Sequence, residues 1–361
     1  MTNLKILASP KIKYFGDLHP FHKWNKQLRE AGIHAEILYD HTNKSLFDAE
    51  RVILHHRYFD SGWVNALNTA TDVNGDFINY LSTLKASVGK LIWFDADDSS
   101  GTTQFPVIPF VDAFVKKQVL KDISYYTDDS DNKKNLMVWA HPGAELIQFI
   151  PCPENQAHKI KPGWNIAYND YRNFVVHYRL RKYLSHFTNY NIFPLRYTQV
   201  TANRLFDITF RGTVKYDTYF SDIVSFQRRK VFEILNLAPY NILSGNIVHR
   251  DRYLSELNKT KVSISPFGYG EICYRDFETF ISGSLLVKPS MDHLVTFPNL
   301  YLPNETYVPI SWDLSDLRET LDKIITNYSL YKEIAMNGQE LYKKTIDDPD
   351  VFINAVYRII N

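Results

Sequence analysis

The stretch that decides the fold is KVSISPFGYGEICYRDFETFISGSLLVKP, residues Lys261–Pro289. Its alternating apolar start predicts a short buried strand that ends at Pro266. A loop with two glycines, Phe267–Gly270, follows, and then a helix that Gly283 should end before an apolar run from Leu285 begins the next strand. Doubly wound α/β proteins hold phosphorylated ligands with this order of elements, because free amide groups and the helix dipole favour an anion. The sequence therefore predicts an α/β fold with a phosphate site at this loop.

Four charged residues, Glu271, Arg275, Asp276 and Glu278, surround the first turns of the predicted helix. Arg275 and Glu278 are three residues apart and are therefore neighbours on the helix surface. One interpretation is a surface ion pair on a solvated turn. The other is a binding site, because an arginine beside a glycine loop can neutralise a diphosphate and a carboxylate one turn on can accept hydrogen bonds from ribose. The second interpretation predicts a nucleotide-sugar ligand.

The run SPFGYGEICYRDFETFISGSLLVKP resembles the donor-binding motif of GT-B glycosyltransferases, particularly exostosin-like and bacterial or viral "family 1" enzymes. The resemblance implies two Rossmann-like domains with an interdomain cleft and a C-terminal helix that crosses back to the N-terminal domain. It also implies that Arg275 faces the donor phosphates, Glu278 the ribose and Glu271 the sugar. Six residues separate Glu271 from Glu278, whereas retaining enzymes of this architecture usually have seven. The choice between retention and inversion stays open.

A second part of the donor site is predicted where the strand Leu205–Phe210 runs into Arg211 and Gly212. This resembles the opening of a GT-B C-terminal domain, whose basic, glycine-containing loop lies over the donor diphosphate. We expect at most one of the three basic residues of the following helix, Arg228–Lys230, to face the cleft. The complete expected donor-binding set is Arg211, Lys215, Tyr269, Gly270, Tyr274, Arg275 and Glu278.

An acidic cluster, DADDSSGTTQF, follows the predicted strand Lys90–Phe94. Asp95 and Asp98 in this cluster can cap a turn, bind a divalent ion, or act as a general base on an acceptor hydroxyl. The run FDADDSSGTTQF followed by PFVDAFVKKQVLKD also resembles the N-domain segment of the same transferases. The expected catalytic residues are therefore Asp98, then Asp95, together with Glu271.

Further polar residues are expected near the acceptor. His55 and His56 follow the predicted strand Arg51–Leu54, at the end where open α/β sheets hold ligands. Adjacent side chains on a strand point to opposite faces, so the two histidines should not share a metal ion, and a satisfied structural role is the alternative. With these histidines, the expected acceptor-side residues are Thr102 and Thr103. No metal ligand is expected.

The pattern of lysines after the next predicted strand has two interpretations. Lys116, Lys117 and Lys121 form a basic strip, for which a solvated helix face is the favoured interpretation. Tyr168–Phe187 is predicted to be a long basic helix, which could contact a membrane surface or an anionic acceptor.

Length and composition bound the remaining expectations. With 361 residues the chain is long enough for two cores, and we place an acceptor-side domain at 1–200, a nucleotide-sugar domain at 201–340 and the crossing helix at 341–361. The 41 basic and 40 acidic residues give a net charge of +1, which provides no field for nucleic acid. Two cysteines and no apolar run of membrane-spanning length favour a cytoplasmic location, with peripheral attachment at the inner membrane face left open.

The sequence thus predicts a glycosyltransferase, of hexosyl or pentosyl type, that needs neither metal nor cofactor. Its co-substrate is expected to be a UDP- or GDP-linked sugar, and its acceptor a glycan, lipid-linked or protein hydroxyl in surface polysaccharide or glycan synthesis. Two alternatives remain open at this point. One is a nucleotide-sugar- or glycan-binding protein without turnover, and the other is a nucleotide-sugar epimerase of the same fold.

Overall fold

The computed structural model describes residues 1–12, 16–59, 75–128, 150–172, 194–214 and 219–361. Within these ranges the chain forms two parallel sheets and a small antiparallel pair. The strands are β1 Thr2–Leu7, β2 Ile33–Leu38, β3 Arg51–His55, β4 Lys90–Asp95, β5 Ala113–Lys116, β6 Gln118–Leu120, β7 Ile160–Pro162, β8 Phe206–Arg211, β9 Ile242–Gly245, β10 Thr260–Ile264, β11 Leu285–Pro289, β12 Leu294–Thr296 and β13 Val308–Ile310.

The N-terminal sheet has the strand order β2-β1-β3-β4-β5-β7, and every neighbouring pair is parallel. Its central strands are continuous apolar runs rather than alternating ones; Leu91, Ile92, Trp93 and Phe94 of β4 are all fully buried. This pattern is typical of a parallel sheet that is covered on both faces.

The C-terminal sheet has the order β13-β11-β10-β8-β9 and is also parallel throughout. The two strands of the decisive stretch, β10 and β11, pair directly, with Val262 opposite Leu285. Two such sheets confirm the predicted α/β fold with two Rossmann-like domains.

The α-helices are α1 His19–Lys23, α2 Asn25–Glu30, α3 Asp76–Ser87, α4 Ser124–Thr127, α5 Tyr219–Asn236, α6 Arg250–Leu257, α7 Tyr274–Ser282, α8 Leu317–Thr326, α9 Tyr328–Asp347 and α10 Pro349–Ile360. The predicted helix Tyr168–Phe187 does not begin as expected, because Tyr168 ends a short turn and the chain up to Arg172 is irregular. The rest of that predicted helix lies outside the described residues.

The last helix, α10, packs against the N-terminal domain. Its Phe352 is fully buried, and its ring lies 5.2 Å from Phe21 and 5.4 Å from both Trp24 and Trp164. At the end of the helix, Arg51 Nε donates a hydrogen bond to the carbonyl of Ile360 at 2.7 Å. The chain therefore returns to its first domain, as the resemblance implied.

The prediction that Lys116, Lys117 and Lys121 form a solvated basic strip is wrong for the first two. Lys116 is the last residue of β5 and is fully buried, while Lys117 is 3% exposed. Each ammonium group meets a carboxylate of the acidic cluster, Lys116 with Asp95 at 3.0 Å and Lys117 with Asp98 at 2.8 Å. These ion pairs allow the two lysines to lie inside the protein.

No helix in the described ranges combines the length and the apolar character that crossing a bilayer requires.

The packing of α10 gives a first prediction. Replacing Phe352 with Ala should lower the free energy of unfolding by about 3 to 5 kcal/mol, because it removes a buried ring from an aromatic cluster. Urea unfolding measures this change, and Leu330→Ala, at a leucine that is 73% exposed, is the matched control that should leave stability unchanged. Equal stability of both variants would contradict the observed packing.

Candidate active site in the interdomain cleft

The N-terminus of α7 is held by a buried carboxylate. Asp276 accepts hydrogen bonds from Ser265 Oγ at 2.5 Å, from Tyr301 Oη at 2.8 Å and from the backbone N–H of Cys273 at 3.3 Å. Lys288 Nζ lies 3.2 Å from the same carboxylate, and both side chains are fully buried. The helix therefore starts at a fixed point behind the glycine loop.

The C-terminus of the same helix follows the sequence prediction. Gly283 has φ = 66°, the left-handed conformation in which glycine ends helices without strain. A Cβ at this position would also lie 2.5 Å from the carbonyl of Thr198, so glycine is required by close approach as well.

A cavity of about 350 Å³, which we call the arginine cavity, lies where β8, β9 and β10 end and α7 begins. Ligands of parallel α/β sheets bind at such strand ends. Its charged and hydrogen-bonding lining residues include Arg211, Arg228, Arg250, Tyr253, Arg275 and Glu278.

Two of the four arginines in this cavity already have carboxylate partners. Arg211 forms a two-point ion pair with Glu256, with both N···O distances at 2.9 Å. Arg250 Nη1 lies 3.1 Å from Glu278 Oε1. Burial raises the pKa of the Glu278 carboxyl, and the charges of Arg250 and Arg275 act in the opposite direction.

The other two guanidinium groups form no ion pair within the described ranges. Arg228 Nη1 donates to the carbonyl of Thr213 at 3.0 Å, and Arg275 Nη2 donates to the carbonyl of Arg211. The guanidinium of Arg275 also lies 5.1 Å from the ring of Phe210, and among the described residues its Nε has no hydrogen-bond partner. Burial and the nearby charge of Arg275 lower the pKa of Arg228. Two neighbouring guanidinium groups that form no ion pair within the described ranges make this cavity favourable for a negatively charged ligand.

A second cavity, of about 480 Å³, lies between the two domains, and we call it the interdomain cleft. Its N-terminal wall carries Asp17, Arg57, Asp98 and Lys117. Arg228, Gly268, Cys273 and Tyr274 line both cavities, so the two are continuous.

Asp98, the first expected catalytic residue, lies in this cleft. Its side chain is 52% exposed, and its Oδ1 is 2.8 Å from Lys117 Nζ and 3.7 Å from Arg57 Nη2. The carboxylate is thus accessible and partly neutralised by two cations.

Asp95, the second expected catalytic residue, lies away from the cleft. It is fully buried, its Oδ2 pairs with Lys116, and its Oδ1 accepts the N–H of Asp97 at 2.9 Å. This is the turn-capping alternative that Asp residues favour.

The structure places both expected acceptor-side histidines in the interior, His55 with 1% and His56 with 2% exposure. Their rings stack 5.6 Å apart with an interplanar angle of 16°. The prediction that they point to opposite faces is wrong, because β3 ends at His55 and the chain turns at His56.

His56, Asp95 and Asp97 place three possible metal ligands within 4.8 Å of one another. His56 Nδ1, however, accepts the N–H of Ala96 at 2.8 Å, which puts the ring proton on Nε2, facing Asp97 at 3.5 Å. Lys116 already supplies a cation to Asp95. The hydrogen bonds of this cluster therefore fit a structural role better than metal ligation.

Residues 269–271 form one of the contacts between the domains, in addition to the pairing of β6 with β12. Glu271 is fully buried and accepts hydrogen bonds from Ser100 N at 3.0 Å and Ser100 Oγ at 2.5 Å. A Cβ on Gly270 would lie 1.9 Å from the carbonyl of Asp98, so only glycine permits this approach. The glutamate that was expected at the sugar lies instead in the domain contact.

The remaining predicted residues divide between this contact and its surroundings. Tyr269 Oη lies 2.7 Å from Thr102 Oγ1, which adds a further contact between the domains. Thr103 follows Thr102 and lines neither cavity. Tyr274 is 50% exposed between the two cavities. Lys215 lies outside the described residues.

Two polar residues of the cleft, Asp17 and Arg57, are not among the site residues expected from the sequence, although the resemblance to GT-B transferases implies that the loop holding Asp17 lines the acceptor cleft. Both follow strands of the N-terminal sheet, Asp17 in the loop after β1 and Arg57 in the turn after β3. The rule that ligands bind at strand ends could have included them, but the sequence gives no sign that Asp17 is buried.

No protein-family model and no curated protein matches the chain. It is similar to the solved structure of an alpha-glucosyltransferase in complex with UDP and a 13-mer DNA containing an HMU base, with a TM-score of 0.48, 9% sequence identity and 99% of each chain covered. It is also similar to T4 phage BGT in complex with its UDP-glucose substrate, with a TM-score of 0.46, 12% sequence identity, and 99% of this chain and 98% of that chain covered. A third similar structure is HepE from Anabaena in complex with UDP-glucose, with a TM-score of 0.44, 9% sequence identity and 99% of each chain covered. A further structure of T4 phage BGT contains UDP and Mn2+. At these identities and TM-scores, the likenesses do not establish an activity.

The buried ion pair between Asp95 and Lys116 should contribute to stability. Asp95→Asn leaves the buried ammonium of Lys116 without an anion and should lower the free energy of unfolding by about 3 kcal/mol. Glu319→Gln, which removes the exposed partner of Lys323, is the control and should leave urea unfolding unchanged. A fully stable Asp95→Asn variant would contradict the structural role of this ion pair.

Proposed function

We propose that this protein is a glycosyltransferase that moves a hexose from a nucleotide-sugar to an acceptor hydroxyl. The observation that supports it most is the pair of guanidinium groups, Arg228 and Arg275, that line the arginine cavity and form no ion pair with a carboxylate of the described residues. A nucleoside diphosphate supplies the two negative charges that they lack. The helix N-terminus in the same cavity adds amide groups and a favourable dipole.

The proposed transfer places the leaving diphosphate against Arg228 and Arg275. As the bond between the sugar and the phosphate breaks, negative charge grows on the diphosphate, and fixed cations stabilise it. The guanidinium of Arg211 is paired with Glu256, and its backbone carbonyl accepts a hydrogen bond from Arg275. Glu278, held by Arg250, is assigned to the ribose hydroxyls, as the motif implied.

The acceptor is assigned to the interdomain cleft, which opens from the same cavity. Of the three acidic residues expected at the reaction centre, Asp98 is the one that lines this cleft. Asp95 and Glu271 are proposed to support its loop, Asp95 through Lys116 and Glu271 through Ser100. Tyr274, exposed between the two cavities, is positioned to pack against the sugar.

We infer a glycan, lipid-linked or protein acceptor and a cytoplasmic location, which fits two free cysteines. Some solved structures to which the chain is similar contain DNA, so modified DNA belongs in the acceptor screen. Transfer to DNA alone would replace the proposed acceptor class and leave the donor chemistry intact.

Calorimetric titration with UDP and GDP tests the phosphate site. Arg275→Ala should weaken binding of the preferred nucleotide by about 1.5 to 3 kcal/mol, because a charge-assisted hydrogen bond is lost, and Arg228→Ala should act in the same direction. Arg29→Ala, at an exposed arginine of α2, is the matched control. Unchanged affinity in both cavity variants would refute the assignment.

The proposed chemistry uses arginines in place of a metal ion. Release of UDP or GDP from a panel of nucleotide-sugars should therefore persist when EDTA is present. Activity that disappears with EDTA and returns with Mn2+ would show that a metal is required. Nucleotide binding without release would favour a binding protein, and a rearranged nucleotide-sugar would favour an epimerase.

A further inference from the structure

Asp17 lies in a part of the cleft wall that the backbone holds firmly. The turn Gly16–Leu18 follows β1, and Gly16 has φ = 61°. Gly16 N donates to Asn169 Oδ1 at 2.6 Å, and Trp164 Nε1 donates to the carbonyl of Asp17 at 2.7 Å. The connection after β7 thus fixes the position of Asp17.

The carboxylate of Asp17 has one oxygen in use and one free. Asp17 lines the interdomain cleft but is only 7% exposed. Its Oδ2 lies 3.4 Å from His55 Nε2, whereas its Oδ1 has no hydrogen-bond partner in the described part of the chain. A buried carboxylate oxygen without a donor is rare, because desolvation without a hydrogen bond is unfavourable. A ligand hydroxyl in the cleft would provide the missing donor.

His55 holds this carboxylate and does not compete with it for a proton. Its Nδ1 accepts the N–H of Arg57 at 3.4 Å, so the ring proton is on Nε2 and points to Asp17. Burial lowers the pKa of His55, and the ring is therefore neutral near pH 7. Burial alone would raise the pKa of Asp17, but the charge of Lys117, the hydrogen bond from His55 and the charge of Arg57 lower it to about 2. Asp17 is thus an oriented, ionised carboxylate.

Asp98 differs from Asp17 in its exposure and in the cations that contact it. Its Oδ1 is bound by Lys117 at 2.8 Å and approached by Arg57 at 3.7 Å. Its side chain is 52% exposed, so water reaches it. Of the two carboxylates, Asp17 is the one shielded from water, and its Oδ1 is buried without a donor among the described residues.

We infer that Asp17 is the group that accepts the acceptor's proton, with His55 as its positioning residue. This rests on the proposed transferase function. The acceptor hydroxyl gives its proton to Asp17 Oδ1, and its oxygen forms a bond to the anomeric carbon. The bond from that carbon to the diphosphate breaks, and its electron pair leaves with the nucleotide. Attack from the side opposite the diphosphate inverts the anomeric centre, and Asp17 later releases the proton to water.

Azide rescue tests this assignment because azide is a nucleophile that has no proton to lose. The assay follows nucleotide release from UDP-glucose, UDP-galactose, UDP-N-acetylglucosamine and GDP-mannose, with water as the acceptor, and uses the fastest donor. Asp17→Ala should lower the rate by roughly 10² to 10⁴, the usual contribution of a general base. Sodium azide should restore it and give a glycosyl azide of inverted configuration. Asp98→Ala is the matched control and should gain nothing from azide.

Binding measurements separate the failure of this inference from the failure of the proposed function. Asp17→Ala should bind UDP or GDP within twofold of the wild type, which also shows that it is folded. Turnover of Asp17→Ala within threefold of the wild type, rescue confined to Asp98→Ala, or a retained configuration would overturn the role of Asp17. A wild-type protein that binds neither nucleotide would overturn the proposed function itself. Binding without turnover of any donor, in water or azide, would overturn the transfer and Asp17's part in it.

Discussion

The buried carboxylate of Asp276 is the interaction on which the arrangement of the site depends. It joins three separate parts of the C-terminal domain: Ser265 after β10, Lys288 in β11 and Tyr301 in the connection to β13. It also accepts the N–H of Cys273, where α7 begins. Removing either Asp276 or Lys288 would leave the other as an uncompensated buried charge, which destabilises the fold. The helix N-terminus can face an anion because its first turn is anchored from behind.

The stretch from Gly270 to the end of α7 has two roles: its first residues contact the N-terminal domain, and its helix lines the arginine cavity. Gly270 lets the loop approach the backbone of Asp98, and Glu271 accepts hydrogen bonds from Ser100 and Gln118 of the opposite domain. Gly270 and Glu271 therefore hold the two domains together beside the cleft, while α7, which follows them, forms a wall of the arginine cavity. The spacing between Glu271 and Glu278 is one residue shorter than in retaining enzymes of this architecture. In this protein Glu271 points into the domain contact.

Local pattern predicted the secondary structure well, and distant partners account for what it missed. Gly283 ends α7 as expected because a helix C-terminus is a local property. The burial of Lys116 depends on Asp95, which lies in a different strand, so a run of lysines looked like a solvated surface. The carboxylate of Asp17 is likewise set by His55, 38 residues away. Charged residues whose burial requires a partner from another strand cannot be placed by periodicity.

The charges of the two cavities suggest different ligands. In the part of the chain that the structure describes, two guanidinium groups of the arginine cavity form no ion pair, so this cavity favours a dianion. On the N-terminal wall of the interdomain cleft, Arg57, Lys117 and Lys11 accompany Asp17 and Asp98, and Arg228 lines the cleft from the other domain. The N-terminal wall therefore carries three cations and two carboxylates among its described lining residues. Its two carboxylates suit an uncharged acceptor hydroxyl that donates a hydrogen bond to one of them.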